Sequence, residues 1–357
     1  MAEIDDTLPN ETITDEAFVE QEVTVPNEEM EESSEGVEVT MDDEGGAQID
    51  FDPKAEGLES QDHFSNLAEI MEDKYLGELG STLFDQYTEY KESRADWENT
   101  YREGLELLGF KYERRTEPFR GASGVNHPVL AEAVTQFQAQ AYKELLPADG
   151  PVRAQILGDI SNEKQDQANR VKDFMNYQIM DQMPEYEPEF DQMLFYLPLS
   201  GSTFKKIYYD DLLGRAVSKF VPADDLIVPY SANSLEDAEA IVHVIRMSEN
   251  EIRKQQVSGF YKDVEVGNPP VTSNQLKDTE LKLEGITKNS NQDQFNLLEM
   301  HVDLDLEGFE DMGQDGEPTG IKLPYIVTIL ESTNEILSIR RNYTEDDPLK
   351  EKIKYFV

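Results

Sequence analysis

The chain has 357 residues, 76 of them Asp or Glu against 31 Lys or Arg, for a formal net charge of −45. Hydrophobic residues make up 38% of it, enough for a real core, so wholesale disorder is excluded. The charge argues against a protein that wraps a phosphate backbone or docks on anionic lipid, and the lack of cysteine excludes disulfides, thiolate nucleophiles, zinc fingers and iron–sulfur sites.

The length suits roughly two domains of ~100–200 residues each. The start shows no basic stretch followed by an apolar one, so no signal peptide is read there. Nowhere do ~18 apolar residues run together, so nothing is expected to span a membrane.

Residues 1–60 hold 21 acids and one base, Lys54, with Pro9, Pro26, Gly36, Gly45 and Gly46 breaking any period. Too little apolar surface is available there to offset the ordering entropy, which predicts a disordered acidic tail. A solvated leader is the simple reading, and a segment that orders on a basic partner is the sharper one.

From residue 64 the pattern turns helical. Leu83, Tyr87, Tyr90, Trp97, Tyr101, Leu105 and Leu108 fall on one helix face, with Ser81 as a candidate N-cap and Gly109 as a stop. The cluster Lys111, Arg114, Arg115 and Arg120 follows, in a loop ending Gly121-Ala122-Ser123-Gly124. Asn126 and Pro128 open a helix with the stripe Val129, Leu130, Ala133, Val134, Phe137, Ala141 and Leu145, closed by Pro147. A third helix is predicted from about Asn162 to Met183, with Ala168, Val171, Met175 and Ile179 on one side and Pro184 ending it. A shorter fourth carries Phe190, Met193, Leu194 and Leu197.

After Gly201 the period becomes two. Thr203–Tyr209 and Ala216–Val221 read as a hairpin around residues 210–214. Leu226–Val228 and Ala240–Met247 read as strands, and Ser248-Glu249-Asn250-Glu251 is a capping box that predicts a short helix to about Gln256. Residues 262–294 read as an irregular excursion. Leu298, Met300, Val302, Leu304 and Leu306 alternate with Glu299, His301, Asp303, Asp305 and Glu307, which predicts a half-buried strand with a polar outer face. Tyr325–Leu330 and Ile336–Arg340 form a last hairpin around Ser332-Thr333-Asn334. The chain then stops inside the apolar run Ile353–Val357, which suggests truncation. The order predicts an α+β fold. Residues 61–200 form its helix-rich part, and 201–357 a β-rich part of mixed or antiparallel hairpins.

No constellation demands catalysis. Asp303, Asp305 and Glu307 before Gly308 look like the front of a calcium loop, but the twelfth position is Gln314 and the flanks read as strand. A solvated strand face is the simpler explanation. Asp210-Asp211 and Asp224-Asp225 are acid pairs, yet neighbours on a strand point to opposite faces, and Asp at turns caps backbone groups. His63, His127, His243 and His301 lie at no metal-ligand spacing, so structural roles are expected. No P-loop, dinucleotide fingerprint or nucleophile elbow occurs. The expectation is no catalytic residue, no metal and no cofactor. The basic cluster at 111–120, interleaved with Tyr112 and Phe119, could touch phosphate or pair with the acid surplus of a neighbouring element or subunit.

The run Gly121–Leu130 followed by Leu145-Leu146-Pro147 resembles the N-terminal half of portal proteins from short-tailed bacteriophages. The helix Gln165–Arg170, the hairpin opening Gly201–Asp210, and Phe220–Ser231 followed by Ser234–Met247 are similar to that family as well. The resemblance covers residues 65–357 and implies a wing-like region, with stem, clip and crown expected further along such a chain. It implies a homo-oligomeric, dodecameric ring at the capsid vertex of the virion, assembled in the host cytoplasm with capsid and scaffolding proteins. Double-stranded DNA would pass through the channel without tight binding during packaging and ejection. The terminase large subunit and tail adaptor proteins would dock on the ring. No site residue carries over. A tail adaptor or connector, and an acidic hydrolase using Asp210 or Asp224, stand as the alternatives.

Overall fold

The computed structural model describes residues 38–41, 47–50, 63–109, 119, 127–158, 161–210, 213–267, 279, 294–312, 318–345 and 347–357, the first two stretches by backbone only. The chain divides into two compact units, Met1–Gln61 and Asp62–Val357. In the first, β1 (Glu38–Met41) pairs antiparallel with β2 (Ala47–Asp50), Glu38 opposite Asp50. The rest of the expected disordered tail lies outside the described residues.

The second unit is α+β. Its helices are α1 (Asp73–Ser93), α2 (Ala95–Leu108), α3 (Val129–Leu145), α4 (Asn162–Tyr177), α5 (Tyr186–Ser200) and α6 (Glu249–Val257). Strands β3 (Phe204–Asp210) and β4 (Arg215–Val221) form an antiparallel hairpin, Asp210 opposite Arg215. Strands β5 (Leu226–Ile227), β6 (Ala240–Ser248), β7 (Gln294–Leu304), β8 (Leu323–Leu330) and β9 (Ile336–Arg341) form a five-stranded antiparallel sheet in chain order.

Period two sorts the sheet. Val242 and Val244 of β6, Leu298, Met300 and Val302 of β7, and Tyr325, Val327 and Ile329 of β8 are buried with Leu76, Leu83 and Tyr87 of α1. Those helical residues recur at seven and four, so one stripe meets one sheet face. Gly80 lies where α1 crosses the β8–β9 turn, and a Cβ there would stand 2.3 Å from the carbonyl oxygen of Asn334. Only glycine allows so close an approach. Asn66 fastens the lead-in to α1 onto β9: its Nδ2 donates to the Leu337 carbonyl (3.1 Å) and its Oδ1 accepts from Ile339 N (3.0 Å).

The single helix expected through Leu83–Leu108 is two helices. It begins at Asp73, so Ser81 is not an N-cap; its hydroxyl donates to the Gly77 carbonyl inside α1. The break falls at Arg94, which fills the slot between α1 and α2. Its guanidinium donates to the carbonyls of Ala223 (2.9 Å), Leu226 (2.9 Å) and Asp224 (2.6 Å), while Nε holds Glu98 at 2.8 Å. Beyond the break, Tyr101 and Leu105 leave the sheet core for a separate cluster with Trp97, Tyr196 and Leu199.

The other sheet face is covered too, which corrects the half-buried reading of β7. Phe295, Leu297, Leu330 and Leu337 are buried there with Ile252 of α6 and Tyr261. Nearer β5, Ile241 and Leu226 are buried with Val221 of β4 and with Phe356. The capping box at Ser248 forms as expected, Glu251 Oε2 accepting from Ser248 N at 2.8 Å. Residues 355–357 run antiparallel along the free edge of β3: Lys205 N donates to Val357 O (2.8 Å), Val357 N to Lys205 O (3.0 Å) and Ile207 N to Tyr355 O (2.8 Å).

Candidate functional site

Two places carry chemistry that the fold alone does not require. The first is the surface of α4. Its N-terminus is capped by Ser161, whose hydroxyl accepts from Lys164 N at 3.3 Å, and its last turn widens into a π-helical stretch over Gln178–Gln182. None of the sixteen residues of α4 is buried. Helices of globular domains are held mainly by one packed apolar face, and α4 has no fully buried residue on any face.

The segment 152–156 runs beside α4 and forms a groove of about 410 Å³ with it. Val152, Ile156, Ala168, Val171 and Met175 line its apolar part, and Arg153, Lys164 and Lys172 its charged part; among the described residues no acid lines it. Helical spacing puts Lys164, Ala168, Val171, Lys172 and Met175 on this side and turns Asp166 and Asp173 to the opposite one. In a chain of net charge −45, that segregation matters. Val171 and Met175 are exposed on this side, Phe174 and Tyr177 elsewhere on α4 and Met180 just beyond it, and so are Val129, Phe137 and Leu145 of α3. The α3 stripe was expected to be core; Val134 is its one fully buried residue.

Asn176 sets the groove. Its Oδ1 accepts from Val152 N (2.9 Å) and its Nδ2 donates to the carbonyls of Asp149 and Val152 (both 3.3 Å). Gly150 faces it at φ +89°, and a Cβ there would lie 2.4 Å from Asn176 Oδ1. Gly150→Ala is expected to destabilise this turn by about 1–3 kcal/mol, from left-handed strain and the displaced amide. Amide exchange at Val152 should accelerate while β7 and β8 keep their protection.

Helix α3 packs on α5, and α5 ties to the hairpin. Gln138 of α3 donates to Asp191 Oδ1 of α5 (2.8 Å), and the Tyr142 hydroxyl donates to Glu187, a bond that pushes the phenol up to about 12. Glu185, at the N-cap of α5, pairs with Arg215 (2.6 Å), and Glu189 of α5 accepts from Phe220 N (2.8 Å). The Lys205 ammonium sits 3.8 Å from the centroid of the Tyr186 ring, and burial draws it down to about 8.

The second place is a buried charge cluster between β3 and β7. Lys206 Nζ donates to Glu299 Oε1 (2.5 Å) and Oε2 (2.6 Å). His301 Nε2 lies 3.0 Å from Glu299 Oε1. A carboxylate only accepts, so Nε2 carries the proton. His243 Nδ1 stands 3.9 Å from the same oxygen, too far for a hydrogen bond. Phe356 meets both imidazoles edge-on, with centroids 5.1 Å from His301 and 5.5 Å from His243. Burial works to raise Glu299, but the Lys206 charge and the two imidazoles outweigh it and hold the carboxyl well below its ordinary value. Burial lowers His301 against the pull of Glu299. Sequence periodicity placed Glu299 and His301 on a solvent face; Lys206, whose only sequence signal was a place on a predicted strand, covers them.

The other residues singled out from sequence do not converge. Asp210 Oδ1 accepts from Leu213 N (3.1 Å), turn chemistry as expected, and Asp211 lies outside the described residues. Asp225 accepts both prongs of Arg246 (2.8 and 2.5 Å), while Asp224 lies buried beside it. His63 bonds the Tyr343 carbonyl (2.9 Å), and His127 is exposed before α3. Asp303 is the penultimate residue of β7, Asp305 lies just past the strand and Glu307 in the turn that follows; among the described residues no cluster of ligating side chains could hold a metal. The basic cluster Lys111, Arg114, Arg115 and Arg120 lies outside the described residues.

In comparisons with known proteins, no family model matches the chain and no curated protein sequence matches it.

Proposed function

We propose that the chain is the wing-like part of a phage portal subunit. It assembles with copies of itself into a ring through which DNA passes, and it offers a platform to terminase, capsid and tail proteins. One observation carries this reading: α4 leaves an apolar face uncovered and rims it with Arg153, Lys164 and Lys172. A second copy carries the same −45 and so presents a predominantly acidic surface to that rim. The charge also suits a conduit, since an acidic lumen repels phosphate and lets duplex slide. The role we read is structural: Asp225 is bound by Arg246, and Asp210 accepts from Leu213 N in its turn.

Negative-stain micrographs of the full chain are expected to show closed rings with a central channel. Assembly should weaken at ionic strengths of about 0.01 M, where the Debye length reaches about 30 Å and acidic protomers repel. Lys164→Glu with Lys172→Glu should sediment as protomers under conditions where the native chain assembles. A native chain that stays single at every salt concentration ends the reading. Location in the prohead, as opposed to the tail, separates a portal from a tail adaptor.

A further inference from the structure

We propose that the Lys206–Glu299–His301 cluster, with His243 beside it, is an acid-sensitive latch that fastens residues 352–357 and the β3 edge to the five-stranded sheet and lets them go when the His301 imidazole gains a proton. The idea stands on geometry and holds whether or not the chain builds a ring.

The parts are these. Lys206 reaches in from β3, Glu299 and His301 stand on β7, and His243 stands on β6. Residues 352–357 close over them, Phe356 resting on both imidazoles and Tyr355 on His301 at 5.6 Å between centroids. The same segment is bound backbone to backbone to β3. The segment therefore touches the titratable rings and the strand that carries the lysine.

Water and protons have a way in. A cleft of about 340 Å³ opens beside His301, lined by Leu235, Glu236, Ile241 and residues 352–357. Because His301 Nε2 already donates to Glu299, the incoming proton must land on Nδ1. The charged groups facing the ring are Glu299, Lys206 and, from the closing segment, Lys352. Tyr261 and Tyr355 also feel Glu299, and the Lys354–Glu236 pair (2.5 Å) belongs to the cleft wall.

At neutral pH the site holds one lysine and one carboxylate, which balance. Protonation of His301 puts two cations on one carboxylate, with Lys352 close by, in a place that solvates charge poorly. The sign follows from the direction of each shift. His301 is held below its ordinary 6.5, so the neutral ring stabilises the fold fully above 6.5, and that contribution is lost as pH falls below it. Glu299 is held well below 4.5, so its contribution persists above 4.5 and goes only in stronger acid. Between those two values, His301 works the latch.

The test is amide exchange on the full chain, corrected for intrinsic pH effects, at about pH 7.5 and about pH 5. Protection of Lys205, Ile207 and Val357, whose amides bridge the pairing, should fall about tenfold on acidification, while Val327 in β8 holds. His301→Gln with His243→Gln should remove most of that difference. Equal protection at both pH values, or an undiminished loss in the double variant, overturns the latch. Should that variant fail to fold, ring titration by NMR in the native chain decides. A His301 midpoint below 6.5 that tracks a shift of the Phe356 resonances supports the latch, and one at or above 6.5 with Phe356 unmoved overturns it.

Discussion

Glu299→Gln is expected to cost the chain about 3–5 kcal/mol, the penalty for leaving one partner of a buried ion pair behind. The carboxylate receives Lys206 at 2.5 and 2.6 Å and His301 at 3.0 Å, and the side chains of Lys206 and Glu299 are only 15% and 14% exposed. A carboxamide keeps the shape but gives up the charge, so the ammonium stays inside without compensation. The loss should read as a fall of roughly 10 °C in melting temperature. Replacing both partners, Lys206→Met with Glu299→Met, should cost less than the single change, because apolar side chains of similar volume leave no stranded charge. If Glu299→Gln melts with the native chain, the pair does not join β3 to the sheet.

Arg94→Ala should rank next, at about 3 kcal/mol, because three backbone carbonyls in the 223–226 loop lose their donors together. Arg94 sits where α1 ends and α2 begins, and the bend aims one planar fork at Ala223, Asp224 and Leu226. A lysine ammonium is a point charge and cannot serve that spread of acceptors, so Arg94→Lys should restore less than half of the loss. Denaturant midpoints of the three proteins measure it. Equal midpoints for Arg94→Lys and the native chain would mean that charge alone, without the fork, holds the loop.

Local chemistry was the part of this fold that could be read from residues. Ser248 and Glu251 announce a helix start three positions apart, and the cap is there. The β3–β4 and β8–β9 hairpins follow from period two with turn residues between them. What failed were judgements about what lies opposite. Leu83, Tyr87, Tyr101 and Leu105 share one helical phase, yet they pack in two places, because Arg94 finds its acceptors 129 to 132 residues away. Glu299 and His301 look like a wet face until Lys206, 93 residues earlier, is laid over them. The stripe on α3 has core periodicity, but Val129, Phe137 and Leu145 stay exposed. Periodicity reports that a face is apolar; whether the covering partner belongs to the same chain is a separate matter.

The way α5 grips the hairpin has a mechanical consequence. Glu185 and Glu189 fix α5 to β4, whereas β3 meets the five-stranded sheet through Lys206 and the segment that carries Phe356. A load pulling on α5 would thus pass into the hairpin and reach the sheet at a mixed seam, the Lys206–Glu299 pair beside the apolar cluster of Val221, Leu226, Ile241 and Phe356. The ion pair is the half of that seam that water and protons can weaken, so it would give way first while the apolar half holds hairpin to sheet.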